Sequence, residues 1–143
     1  MMAIADHSRA KHHLVLCAAA DASSPSFHRE VLEVFDDAPR ARALIHRCLE
    51  TTPDRDFIRL MTILRYTTYF GMHDVALTVY QRIAKQLIGV FIMNLWSPLQ
   101  AEMRKLPGFK ELVREVGFVA YWRTTGEWGE FARPVGDDDF ECW

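Results

Sequence analysis

Residues 38–51 read APRARALIHRCLET and residues 73–86 read HDVALTVYQRIAKQ, and the second segment returns the pattern of the first thirty-five positions later. Ala41, Ile45 and Cys48 come back as Ala76, Tyr80 and Ile83. In the first segment Ala41, Leu44, Ile45, Cys48 and Leu49 fall on one helical face, with Arg40, Arg42, His46 and Arg47 over the remainder. The second opposes Val75, Ala76, Val79, Tyr80, Ile83, Ala84 and Leu87 to Asp74, Gln81, Arg82 and Lys85, the two-faced pattern of an amphipathic helix. Each segment follows another helix and a turn, so the period is one helical hairpin. A small residue lets neighbouring helices approach, and the larger one fills the gap between hairpins.

Working outward, a first helix is predicted over about Ile4 to Ala19, with Ala10, Leu14, Cys17 and Ala18 along one side. Ser24-Pro25 supplies an N-cap with proline at the first helical position, and Phe27, Val31, Val34 and Phe35 are the inward stripe of the helix that follows. After Pro53 and Asp54, a run holding Phe57, Ile58, Leu60, Met61, Ile63 and Leu64 is apolar around most of its circumference. That predicts a central helix flanked on several sides, ending at Gly71 as a left-handed stop. Ser97-Pro98 repeats the cap signal, Pro107 opens a helix with Phe109, Leu112, Val113 and Val116 inward, and Gly117 closes it. Tyr121 and Trp122 belong to a last turn or two. Alternating strand patterns and Asn-Gly or Asp-Gly hairpin turns are absent. The expectation is an all-α chain of seven or eight helices, a single domain over 1–133 and an acidic, aromatic tail over 134–143.

At 143 residues the chain suffices for one domain with a real core. Seventeen basic against nineteen acidic side chains leave a formal charge of −2, so there is no positive excess to neutralise a phosphate backbone, and nucleic acid is not expected as a partner. Cys17, Cys48 and Cys142 are odd in number and widely spaced, which encodes neither a disulfide framework nor a zinc ribbon and suits a reducing cytoplasm. The apolar run from Leu14 to Ala20 is short for a secretory core, and neither it nor Leu87 to Met93 has the ~20 residues of a membrane span. Leu14-Val15-Leu16-Cys17 has the outline of a lipobox, but Leu16 stands where a small residue belongs. A buried helix in a cytoplasmic protein is expected instead.

The spacing of Gly71, Ala76 and Tyr80, with Ala41, Ile45, Cys48 and Pro53, resembles the tetratricopeptide repeat, a helical hairpin of about thirty-four residues. Two degenerate repeats are expected over 22–55 and 56–90. The first-helix tryptophan and leucine of the consensus have no counterpart, and Ile83 stands where a small residue is usual. Leu95-Trp96, Pro98-Leu99, Met103-Arg104, Pro107-Gly108-Phe109, Gly117-Phe118, Tyr121-Trp122-Arg123, Thr125-Gly126 and Trp128 make the segment 95–131 similar to the closing segment of bacterial tetratricopeptide-type proteins. There, such segments often follow a winged-helix or cyclase domain; Gly129 and Ala132 depart from that pattern, and a module standing without such an effector domain is expected. The resemblance implies hairpins stacked in a short right-handed superhelix, acting as a regulatory or adaptor module that binds a peptide or partner helix. It places the ligand-facing positions at Glu30, Glu33, Met61, Arg65, Thr68 and Tyr69.

Other chemistry finds little footing. His7, His12, His13 and Cys17 invite a metal, yet His13 and Cys17, one turn apart, are two ligands and not a site; no metal or cofactor is expected. His28, His46 and His73 are scattered and read as surface residues. Ser23, Ser24 and Ser26 lack a nucleophile elbow and a base, no glycine-rich loop cradles phosphate, and Asp54 and Asp56 suit a helix start, so no catalytic residue is named. Tyr121, Trp122, Trp128 and Phe131 either cap the open end of the stack or form an aromatic partner patch. The basic strip from Arg40 to Arg47 and the acid of Asp137 to Glu141 leave open a contact within one molecule or between two copies. A non-catalytic protein-interaction module is the leading reading, ahead of a small-molecule sensor or carrier with an apolar pocket between hairpins, and of an enzyme.

Overall fold

The computed structural model describes residues 7–20, 25–86 and 94–143. Eight α-helices and one short 3-10 turn lie in this part of the chain, with a single two-stranded sheet. The all-α expectation therefore holds, apart from that sheet. Ile4, Ser24 and Leu87, and the side chains of His7, Cys17 and Ala18, lie outside the described residues. The chain divides into two compact units, Met1–Tyr66 and Thr67–Trp143.

In the first unit α1 (His7–Ala20) packs on α2 (Pro25–Glu33), and α2 packs on α3 (Ala38–Thr51). Phe27, Val31, Val34 and Phe35 are buried as their spacing predicts, although Val34 and Phe35 lie in the turn beyond the end of α2. Asp37 caps α3 by accepting the Arg40 N–H at 3.1 Å, which offsets one of the unpaired donors of a helix start. Ala41, Leu44, Ile45, Cys48 and Leu49 are all buried. Asp56 accepts the Arg59 N–H at 3.1 Å at the start of α4 (Phe57–Tyr69).

α4 meets the expectation of a central helix in part. Leu60, Thr62, Ile63, Leu64, Tyr66 and Thr67 are buried, but Ile58 is 59% exposed and Phe57 and Met61 are half-buried. At 100° per residue these buried positions cover more than half of the circumference, and only Ile58, Arg65 and Tyr69 line an exposed face. His28 corrects the surface reading as well: it is fully buried and shares a hydrogen bond with the Tyr66 hydroxyl through Nδ1.

The second unit begins in the last turn of α4. Gly71, at φ +65°, turns the chain into α5 (His73–Ala84), a conformation that costs glycine little. Val75, Ala76, Val79, Tyr80, Ile83 and Ala84 are buried as expected. Ser97 caps the 3-10 turn Pro98–Gln100, which runs into α6 (Ala101–Arg104). α5 packs on α6 and on α7 (Pro107–Glu115), and α7 packs on α8 (Phe118–Thr125). A Cβ on Gly108 would stand 3.1 Å from a Leu77 methyl, so glycine sets how closely α7 approaches α5.

The expected tail is the largest difference from the sequence reading. Ala132–Val135 (β1) and Asp139–Cys142 (β2) pair antiparallel, with Ala132 opposite Cys142 and Val135 opposite Asp139. Gly136 turns the chain at φ +60°. Phe140, fully buried, anchors the hairpin to the helices.

Candidate functional site

Two left-handed glycines frame the helix on which the site is built. Gly117 (φ +88°) precedes α8, and Gly126 (φ +75°) ends it with its N–H donating to the Trp122 carbonyl at 2.8 Å. Between them Phe118 and Trp122 stand one turn apart, on one face, and their rings stack with centroids 5.6 Å apart. Past Gly126 the chain returns, so that Trp128 lies 5.4 Å from Trp122. Gly129 (φ +69°) turns it again and delivers Glu130 and Phe131. Trp96, from the other end of this unit, closes the group: its ring lies parallel to Phe131 at 6.2 Å and meets Phe118 at 5.9 Å.

The rings of Trp96, Phe118, Trp122, Trp128 and Phe131, with Glu130, line a cleft of about 130 Å³. Trp122 is its buried floor, at 6% exposure, while the other four rings are half-buried and so keep part of their surface open to solvent. Glu130 is exposed and makes no ion pair among the described residues.

Basic groups already rest on two of these rings. The Arg104 guanidinium lies 5.1 Å from the Phe131 centroid and that of Arg123 lies 5.7 Å from Trp128. Arg104 is buried, and donates to the carbonyls of Leu95 (3.2 Å), Ser97 (2.9 Å) and Trp143 (2.6 Å). Burial lowers its pKa from the ordinary arginine value, and the three acceptors satisfy a cation that would otherwise be costly to bury.

The hairpin buttresses the cleft. Phe140 packs 6.0 Å from Trp122 and 6.3 Å from Trp128. Lys110 donates to both Asp139 carboxylate oxygens, at 2.8 and 3.0 Å, and Arg114 donates at 3.2 Å. The Lys110 hydrogen bond, then the Phe140 N–H and the two positive charges, hold the Asp139 carboxyl below its ordinary value. Glu141 pairs with Arg133 across the strands at 2.6 Å. Asp139 and Glu141 thus have basic partners within their own unit. Burial pushes the Cys142 thiol up to about 11, against the nearby charges of Arg104 and Lys110, so it stays protonated at neutral pH.

Of the four aromatics singled out from sequence, Trp122, Trp128 and Phe131 come together in the cleft. Tyr121 does not line it; 54% exposed, it donates its hydroxyl to Glu127 at 3.2 Å. Trp96, Phe118, Gly129, Glu130 and Ala132 are the lining residues that the sequence reading did not select as a site. The groove positions fall in both units. Glu30 is paired with Arg47 at 3.2 Å, Glu33 and Arg65 are exposed and Met61 is half-buried, all in the first. Thr68 and Tyr69 belong to the second, where Thr68 accepts a hydrogen bond from Gln100 at 2.9 Å.

His12 and His13 are exposed, and among the described residues no group of three or more His, Cys, Asp or Glu side chains is arranged to hold a metal. No described helix is long and apolar enough to cross a membrane. Searches of protein-family models, of curated proteins and of solved structures each returned no match to this chain.

Proposed function

We propose that this protein is a non-catalytic, tetratricopeptide-like interaction module, adaptor or regulatory in role, and that it takes a peptide of another protein at the aromatic cleft of its second unit. The observation that carries this reading is the cleft itself, four half-buried rings around a buried tryptophan. Aromatic side chains held rigid at a surface are the usual anchors of protein interfaces, and the cluster has the order such anchors need. Size decides between a peptide and a carried small molecule. At about 130 Å³ the cleft falls below the roughly 300 Å³ at which small-molecule sites begin, yet it is ample for one side chain. Free thiols at Cys48 and Cys142 fit the reducing compartment expected for such a module.

The test is selection from a displayed peptide library, followed by titration of the sequenced winners into wild-type protein with tryptophan fluorescence as readout. Trp128→Ala is expected to weaken the winners by about thirtyfold, the loss typical of an interface hot spot. Arg65→Glu is expected to leave them unchanged. Circular dichroism confirms that both variants are folded. Winners that bind Trp128→Ala as well as wild type overturn the cleft, and winners lost with Arg65→Glu move the site to the helical groove.

A further inference from the structure

Resting on the cleft as the peptide site, we infer that it seats a methylated ammonium group, carried on a lysine side chain of the bound peptide. The walls are aromatic rings, and the quadrupole of a ring attracts a cation over its face within about 6 Å of the centroid. This cluster already uses that attraction, since Arg104 sits on Phe131 and Arg123 on Trp128. Among the described residues no basic group sits over Trp96, Phe118 or Trp122. Glu130 adds a full negative charge at the cleft and spends it on no ion pair among the described residues. Rings together with a carboxylate favour a cation over a neutral apolar group.

Methylation follows from what the walls lack. An unmodified lysine ammonium has three N–H donors and a strongly held hydration shell. Against ring faces those donors would be left unpaired, at a cost that offsets the electrostatic gain. Methyl groups remove donors, spread the charge over apolar surface and lower the cost of dehydration. A trimethylammonium head is about as bulky as benzene, which occupies an apolar cavity of roughly 150 Å³; the cleft, at about 130 Å³ and open to solvent, is of matching size.

The experiment uses the full chain and three probes: a glycine-flanked trimethyllysine peptide, the same peptide with carbon in place of the ammonium nitrogen, and tetramethylammonium chloride. Binding is followed by the tryptophan indole N–H resonances. The trimethyllysine peptide is expected to bind on the order of tenfold more tightly than its neutral isostere. Tetramethylammonium is expected to shift the same resonances more weakly than the peptide. Glu130→Gln, an exposed and nearly isosteric change, is expected to reduce the preference for charge by about twofold to fivefold, the share of an exposed ion pair. Equal binding of the isostere overturns the assignment, as does failure of the trimethyllysine peptide to bind. Tetramethylammonium binding as tightly as the peptide overturns the lysine source in favour of a free quaternary amine. Library-selected peptides are run alongside. If they shift the indole resonances while trimethyllysine does not, the ammonium assignment falls and the peptide site stands; if neither does, both fall.

Discussion

Phe27, His28 and Tyr66 form a buried polar knot in the first unit. The Tyr66 ring meets Phe27 edge-on at 5.5 Å and His28 at 5.7 Å, and the Arg59 guanidinium lies 5.1 Å from the Phe27 ring. With His28 fully buried, its hydrogen bond to the Tyr66 hydroxyl answers for a polar atom that water does not reach. Tyr66→Phe keeps the ring contacts and removes only the hydroxyl. It is expected to cost about 1 to 3 kcal/mol, the range for depriving a buried group of a partner. Urea denaturation followed by circular dichroism checks this, as a lower midpoint at unchanged slope; an unmoved midpoint shows that the bond contributes nothing. Phe27 was legible in the sequence because it belongs to a stripe of helical period. His28 was not, because polarity alone predicts exposure, and the partner that reverses it lies thirty-eight positions away.

Among the elements, the helices were the legible part and the β-hairpin was not. α3 and α5 bury the faces that their periodicity marks, down to the paired small residues Ala41 and Ala76. β1 and β2 give no alternation to detect: one residue in each strand is buried, Ala132 and Phe140, and Pro134 argues against a strand. The local signal present was Gly136-Asp137, a glycine-first turn, and the run of acid after it read as a solvated tail. One of those acids fastens the hairpin instead. Because Lys110 donates to Asp139 in the folded protein, the folded carboxyl titrates below its ordinary 3.8. The unfolded chain then takes up this proton first, so the stabilisation is present above the ordinary value and is lost as pH falls below it and through the folded value. Carbon-detected NMR should place the Asp139 titration below 3.8. Near-ultraviolet circular dichroism of the adjoining tryptophans should show an acid change over that window, absent in Asp139→Asn. An Asp139 that titrates at or above the ordinary value removes the ion pair from the account of hairpin docking. The cleft was half-legible for a related reason: α8 and the turn after it supply Phe118, Trp122, Trp128 and Phe131 locally, whereas Trp96 arrives from the start of the described segment at 94, twenty-two positions before Phe118.

For the whole molecule, the question is whether two compact units behave as one folding unit. The division falls between Tyr66 and Thr67, inside α4, which runs without a break from Phe57 to Tyr69. A helix cut at Thr67 would lack the Asp56 cap that α4 now has. The two units are expected to unfold in one cooperative transition. The sequence provides a selective reporter, because all four tryptophans, Trp96, Trp122, Trp128 and Trp143, lie in the second unit. Phe27→Ala empties a fully buried site in the first unit and should cost about 3 to 5 kcal/mol. If folding is cooperative, the tryptophan-monitored urea midpoint falls together with the midpoint by circular dichroism, although every tryptophan belongs to the other unit. An unmoved tryptophan midpoint beside a biphasic circular dichroism curve would instead make the units independent, and would assign the single-domain expectation to the second unit alone.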